Sequence, residues 1–305
     1  MICARRQAEI LSTAGVEVFS ACLRSRTSPL ALWRDLVRFR KEMRRIRPDV
    51  VHAHFGTMTA MFAAVAAAGR PLVITYRGSD LNPLPGCRAA LGHLLSQLAA
   101  LRAARIICVS RKLRARLWWR QSRATVIPTG VDPEVFFPEP RSMARRQLGW
   151  AHSERVVLFN AGYDHRIKRL DLAQAALAAA RRTIPELRLE VLDGNVEPGL
   201  VPALMNAADC LLLTSDTEGS PAVLQEALAC NLPVVSVDVG DAAERVDGVR
   251  HARIVARDAE SLGKALEDMV RQPLRSDGRL KLDEFSATQI ALELRDMYRV
   301  LAFRR

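Results

Sequence analysis

Lysine is scarce. Lys41, Lys112, Lys168, Lys264 and Lys281 are the only five lysines among 45 basic residues, and arginine supplies the rest. Aromatic residues make up 5% of the chain. No helix-turn-helix, zinc-ligand or aromatic RNA-binding pattern is present, so nucleic acid is not an expected partner. The cysteines, at 3, 22, 87, 108, 210 and 230, form no C-x-x-C pair and have no histidine at metal-ligand spacing, which argues against a structural metal and for a reduced, cytosolic protein. The longest nearly uncharged apolar stretch, Thr57 to Gly69, is too short to span a bilayer, and the N-terminus lacks the order of regions that defines a signal peptide.

What is present is a chain of 305 residues, 49% apolar and 26% charged, with a net charge of +12. That length suits two ordinary domains and excludes disorder as the default state. The charge is lopsided. Residues 1–140 hold 22 basic and 9 acidic residues, or +13, which leaves 23 against 24 in residues 141–305. A GC-rich coding sequence accounts for arginine in place of lysine, but not for the asymmetry. A one-sided basic half points to an anionic partner.

Short β-branched runs alternate with longer helical patterns, the signature of an α/β fold with parallel sheets. In the first half this predicts strands at Val16–Ser20, Asp49–His52, Leu72–Tyr76, Ile106–Val109 and Thr125–Ile127. Helices are predicted at Pro29–Arg47, Gly56–Ala68, Arg88–Ala103 and Arg111–Arg120. Ser28 before Pro29 reads as an N-cap and first helical residue. The segment TGVDPEVFFPEP then interrupts the periodicity, and the pattern restarts with a basic helix at Arg141–Leu148. Strands follow at Val156–Asn160, Leu187–Leu192, Cys210–Thr214 and Pro233–Val237, with helices at Lys168–Arg182, Val201–Ala207 and Pro221–Cys230. Two doubly wound Rossmann-like domains result, 1–137 and 138–285, with a last helix at 286–302 packed back across them. Such domains bind ligands beyond the C-terminal ends of their strands.

The densest candidate site is SDTEGSPAVLQEALACNLPVV, from Ser215 to Val235. A helix starting just after a strand end, with Ser220 as cap and Pro221 first, offers backbone N–H groups and partial positive charge to a phosphate. Glu218 and Glu226 lie eight positions apart, roughly 12 Å of rise if helical. One long ligand with hydroxyls at each end and an anion between fits both; a helix-start acid plus a solvated surface acid is the alternative. In FNAGYDHRIKRLDLAQAA, Gly162 ends a strand and Arg166 and Lys168 precede the next helix. Two cations there would neutralise a diphosphate, unless Arg166 or Arg169 instead pairs with Asp164 or Asp171. His52 and His54 in VHAHFG alternate at a strand end, so at most one of them is expected to face the cleft, with His52 the structural one. Asp80 either holds an acceptor or caps its loop.

These residues resemble the retaining glycosyltransferases of family 4, which have the two-domain GT-B fold. Glu218 and Glu226 match the Glu-x7-Glu signature, VIPTGVDPEVFFP matches the interdomain segment, and DVVHAHFG, TYRGSDLNP and ARIICVS fall where the N-domain motifs belong. RIKRLDLAQAA with DTEGSPAVLQEALACNLPVVSVDVGD is similar to the teichuronic-acid-type cell-envelope subgroup. The resemblance implies that Glu218 faces the transferred sugar, Glu226 holds the ribose hydroxyls, and Arg166 and Lys168 bind the diphosphate, which the backbone at Gly219, Ser220, Ala222 and Val223 caps. It implies a UDP- or GDP-type nucleotide sugar as substrate, retention, and no cofactor or catalytic metal; no DxD motif is present. On the acceptor side it points to His54, Arg77 and Asp80, and to a lipid-linked or glycan acceptor. Arg77 stands where the subgroup often has histidine. The opening RRQAEILSTAGVEV reads as the family's first helix and second strand, so a first strand and its glycine-rich loop are expected to be missing. Arg34–Arg47 and Arg111–Arg123, with Trp118 and Trp119, resemble basic amphipathic helices suited to peripheral contact with the anionic inner face of the plasma membrane; solvated arginine-rich faces are the alternative.

Overall fold

The computed structural model describes residues 2–162, 164–272 and 274–303, with side chains from residue 7 onward. The chain divides into two compact units, 1–129 with 287–305, and 130–286. The division falls ahead of the expected 137/138 boundary because the Val131 N–H donates to the Phe285 carbonyl and Phe136 is buried in the second unit's core.

The first unit runs α1 (Ile2–Thr13), α2 (Pro29–Ile46), β1 (Val51–His54), α3 (Thr57–Ala66), β2 (Leu72–Tyr76), α4 (Cys87–Arg102), β3 (Arg105–Cys108), α5 (Arg111–Arg114) and β4 (Ala124–Val126). Its four strands are parallel and ordered β1-β2-β3-β4. Ser28 caps α2, its hydroxyl accepting from the Ala31 N–H ahead of Pro29. One face of the sheet packs on residues such as Met43, Ala60, Ala63, Ala99 and Leu113 from α2 to α5. The other face, with Val73, Ile107 and Ile127, packs on Leu11 of α1 and on Ile290, Ala291 and Leu294 of the terminal helix.

Two expectations fail here. Val16–Ser20 lies outside the sheet. The alternation of Val16 and Val18 comes from packing against the Leu11–Ile290 cluster, and periodicity reports a buried face without requiring a hydrogen-bonded neighbour. The helix at Arg111–Arg120 stops at Arg114 because buried Gln97 captures the backbone beyond it. Its Oε1 accepts from the Trp118 N–H at 3.1 Å and its Nε2 donates to the Arg116 carbonyl at 2.9 Å.

The second unit runs α6 (Arg141–Leu148), β5 (Arg155–Gly162), α7 (His165–Lys168), α8 (Leu170–Arg181), β6 (Leu187–Asp193), α9 (Val201–Ala207), β7 (Cys210–Leu213), α10 (Ala222–Ala229), β8 (Val234–Ser236), α11 (Ala242–Val246), β9 (Ala252–Ile254) and α12 (Ala259–Arg271). The helix α13 (Ala287–Phe303) belongs to the first unit. The sheet is parallel with order β6-β5-β7-β8-β9, so strand order reverses at β5. Such a switch point leaves a crevice at the C-terminal strand ends. The elements α11, β9 and α12 have no counterpart in the sequence reading. Yet Asp258 caps α12 through the Ser261 N–H, and Leu262, Ala265, Leu266, Met269 and Val270 are buried at helical spacing, both readable signals.

The described cysteine side chains are free thiols; Cys3 lies outside them. Burial pushes Cys108 and Cys230 up to about 12 and raises Cys210, which suits small buried hydrophobes.

Arg145, fully buried, anchors α6 to the sheet. Its Nη2 lies 2.9 Å from Asp209 Oδ2, and its other donors meet the carbonyls of Ala207, His152 and Glu154 at 3.0, 2.7 and 2.8 Å. Asp209 also accepts from the Val156 N–H at 2.8 Å. Asp209→Ala would leave the guanidinium buried without its counter-charge. It is expected to cost about 3–5 kcal/mol in chemical denaturation.

Candidate active site

The second sheet's switch point carries the charged groups that the sequence singled out. Gly162 ends β5 with φ +51, its N–H donating to Asn160 Oδ1 at 3.0 Å. Asp164 then starts α7, its carboxylate accepting from the N–H groups of Arg166 and Ile167. The expected single helix Lys168–Arg182 is broken at Arg169, which takes the left-handed conformation with φ 58. The cause is tertiary. The Thr214 hydroxyl, at the end of β7, lies 2.8 Å from the Lys168 carbonyl and 3.1 Å from that of Arg169, and the Asp216 N–H donates to the Ile167 carbonyl at 2.9 Å. The Arg169 guanidinium pairs with Asp171 and Asp216 at 2.9 and 3.2 Å. Arg257 donates to the carbonyls of Thr214 and Ser215.

This tether brings Lys168 Nζ to 2.5 Å from Glu218 Oε1, with both side chains largely covered. Arg166 is exposed one residue before Ile167. Its anticipated pairing with Asp164 takes a different form, since Asp164 receives only backbone N–H groups from α7. Arg169, rather than Arg166, is the arginine paired with Asp171.

The expected Ser220 cap is also redirected. Pro221 is the N-cap of α10 and no side chain caps it. The Ser220 hydroxyl lies 2.9 Å from Asp241 Oδ2 and accepts from Gln225 Nε2 at 2.7 Å. Arg245 holds the same Asp241 oxygen at 3.0 Å and reaches Glu284 at 3.2 Å. Burial raises the Asp241 pKa, while Arg245 and Ser220 oppose the shift. Ala222 opens α10, Val223 is buried, and Glu226 is half-buried on the same helix. Helical rise applies only from Ala222 onward, so Glu218 belongs to the loop and Glu226 to the helix. The sequence reading missed Gly240 and Asp241 as supports of this loop. The signal was a Gly-Asp pair shortly after the strand run Pro233–Val237.

The acceptor-side residues lie in the first unit. His52 and His54 do not face opposite ways as expected. Residues i and i+2 of a strand share a face, and the two rings stack with centroids 4.1 Å apart. His52 lies 2.5 Å from the Tyr298 hydroxyl and 2.7 Å from that of Thr75. Arg77 reaches His54 Nδ1 at 3.3 Å and Gln7 at 3.2 Å. Asp80 is fully buried, and its carboxylate accepts from the N–H groups of Gly56, Arg77 and Gly78 at 2.8–3.0 Å. Burial raises its pKa against those donors. Of its two anticipated roles, the geometry is that of a loop cap.

The family description Glycosyltransferase Family 4 matches residues 1–135, and Glycosyl transferases group 1 matches residues 173–272. Both units therefore resemble glycosyltransferases, the first of them family 4. A putative teichuronic acid biosynthesis glycosyltransferase of Bacillus subtilis is 27% identical over 242 residues, covering 74% of this chain and 62% of its own length. A D-inositol 3-phosphate glycosyltransferase of Nocardiopsis dassonvillei is 27% identical over 302 residues, covering 82% of this chain and 70% of its own. This chain therefore spans less than two thirds of the Bacillus relative. Among solved structures, a sucrose-phosphate synthase from Thermosynechococcus elongatus has a TM-score of 0.83 at 19% identity, covering 100% of this chain and 94% of its own. Anabaena Alr3699/HepE in complex with UDP-glucose has a TM-score of 0.72 at 19% identity, covering 93% and 86%. These likenesses show the GT-B fold.

Two outcomes test this geometry. A Cβ on Gly240, at φ +56, would stand 2.7 Å from the Gly219 carbonyl oxygen and 3.2 Å from Glu218 Cβ. Gly240→Ala should displace the Glu218–Gly219 loop and weaken nucleotide binding about tenfold or more in calorimetry, at roughly 1–3 kcal/mol in stability. Burial, reinforced by Arg77, holds His54 down at about 3, against 6.5 when unperturbed, and burial also lowers His52. Both rings stay neutral in the folded protein and take up protons on unfolding. The His54 contribution is therefore complete above pH 6.5 and falls as pH drops toward 3, by about 1.4 kcal/mol per pH unit, and His52 acts in the same direction. Denaturation of His54→Gln across that range should show a slope shallower by one proton.

Proposed function

We propose that the chain transfers a sugar from a nucleoside diphosphate donor, of UDP or GDP type, to a hydroxyl acceptor with retention at the anomeric carbon. The observation that carries this reading is the Lys168–Glu218 pair beside the uncapped start of α10, at the switch point of the second sheet. The anomeric C–O bond to the diphosphate breaks, the acceptor oxygen bonds to the same face of that carbon, and the acceptor proton leaves with the diphosphate. Charge builds on the diphosphate in the transition state. In this reading Arg166, Lys168 and the first N–H groups of α10 stabilise it. Lys168 exchanges its Glu218 partner for a phosphate oxygen, which releases Glu218 toward the sugar, and Glu226 accepts from the ribose hydroxyls.

The UDP-glucose bound by the Anabaena neighbour supports a UDP-type donor. The Bacillus relative supports a cell-envelope glycan or glycolipid as product. No described helix is long and apolar enough to cross a membrane, which fits a catalyst that meets a lipid-linked acceptor from one side.

A panel of UDP- and GDP-sugars, read by calorimetry and by nucleotide release, tests the reading. Glu218→Ala and Lys168→Ala should each lower turnover about a hundredfold or more with an unchanged unfolding midpoint. Donor binding without turnover would favour a non-catalytic sugar-nucleotide-binding role. Wild-type activity in both variants would move the site elsewhere.

A further inference from the structure

The first unit holds a second charged constellation, which the donor site does not use. Around the C-terminal ends of α2 and α3 lies a pocket of about 600 Å³ lined by Arg40, Met43, Arg44, Arg47, Ala68 and Arg70. Among the described residues, none of these four guanidiniums is paired with a carboxylate. Arg38 shows the contrast, since it lies 3.1 Å from buried Asp35. The backbone shapes the pocket at some cost. Arg47 closes α2 at φ 52, and Ala68 and Gly69, at φ 49 and 83, turn the chain after α3 to present Arg70. Two helix C-termini favour nearby cations through their dipoles. Four guanidiniums around one space nevertheless repel one another unless an anion sits among them.

The face leading to the pocket indicates what kind of molecule carries that anion. Leu30, Trp33, Val37, Arg40, Arg44 and Arg47 follow one another at steps of three or four, which aligns them along one face of α2. Its first half is apolar and open to solvent, with Leu30, Trp33 and Val37 exposed at 57, 62 and 52%. On the far side of α3, which both α2 and α4 contact, α4 exposes Leu91, Leu94, Leu98 and Leu101 at the same spacing, and its sequence contains no acidic residue. Trp118, tied to α4 through Gln97, is exposed as well. A helix layer with exposed leucine and tryptophan next to unpaired arginines matches the chemistry of a bilayer interface rich in anionic lipid. A second copy of the chain would instead set these arginines against each other.

We propose that Arg40, Arg44, Arg47 and Arg70 form a site for the phosphate head group of an anionic phospholipid, with Leu30, Trp33 and Val37 resting in the acyl boundary of the same bilayer. The site lies wholly in the first unit, and its occupancy is read without donor or acceptor, so its failure is distinguishable from failure of the transfer reading.

The full chain is floated with vesicles of phosphatidylglycerol mixed into phosphatidylcholine, and with phosphatidylcholine alone. Preferential binding to the phosphatidylglycerol vesicles is expected. Arg44→Gln with Arg47→Gln should weaken it about fivefold for each arginine removed, Trp33→Ala should weaken it further, and Arg146→Gln, an exposed change in the second unit, should leave it unchanged. The unfolding midpoint of each variant is measured alongside. If the Arg44/Arg47 variant does not fold, Arg40→Gln with Arg70→Gln replaces it and carries the same expectation. Equal binding to both vesicle types, or full binding by a folded arginine variant, overturns the proposal. So does tight binding of inorganic pyrophosphate without vesicle affinity, which would make the ligand a soluble phosphate.

Discussion

The charged cluster of the second unit depends on one hydroxyl. Thr214 sits at the end of β7 and hydrogen-bonds to the carbonyls of Lys168 and Arg169. Those carbonyls belong to a segment whose periodicity would otherwise run as one helix. Once Arg169 is held in the left-handed region, α8 starts afresh and α7 becomes a single turn that directs Lys168 toward the β7 loop. Asp216, Arg257 and Arg169 lock that loop from its other side. The Lys168–Glu218 pair follows from this tether. Charge alone would not keep two partly covered side chains in one geometry, because a surface ion pair contributes about 0–1 kcal/mol.

Arginine has different work in the two units. In the second, Arg275 and Arg279 spend their donors on backbone carbonyls, Arg145 on carbonyls and Asp209, and Arg245 and Arg257 on carboxylates and loop ends. A planar guanidinium with five donors suits that structural use, and a lysine could not reproduce it. In the first unit Arg40, Arg44, Arg47 and Arg70 lie without carboxylate partners among the described residues, unlike Arg38, which pairs with Asp35, and residues 1–140 carry the chain's positive excess.

The α/β alternation, the strand Leu72–Tyr76 and the helices Arg141–Leu148 and Val201–Ala207 were readable residue for residue, because each carries its own period and its own boundaries. The Glu218–Glu226 segment stood out for the same reason, being a local pattern of acid, turn and helix start. Less was legible where a distant side chain intervened. Gln97 ends α5 early, Thr214 breaks the helix after β5, and Asp241 takes the Ser220 hydroxyl that looked like a cap. The stacked His52 and His54 rings were misread for a simpler reason, since two residues two apart on a strand must share a face.

By itself, the sequence determined the fold class, the likeness to glycosyltransferases and the positions of the charged groups around the second sheet's switch point. These follow from short-range periodicity and from motifs contiguous in the chain. Tertiary structure alone decided which charges meet. Lys168 and Glu218 are fifty positions apart, and nothing within either segment selects that pairing over Lys168 with Asp171 or Glu218 with a nearer arginine. Strand order places β5 beside β7, and the hydrogen bonds of the β7 loop bring the two ends together.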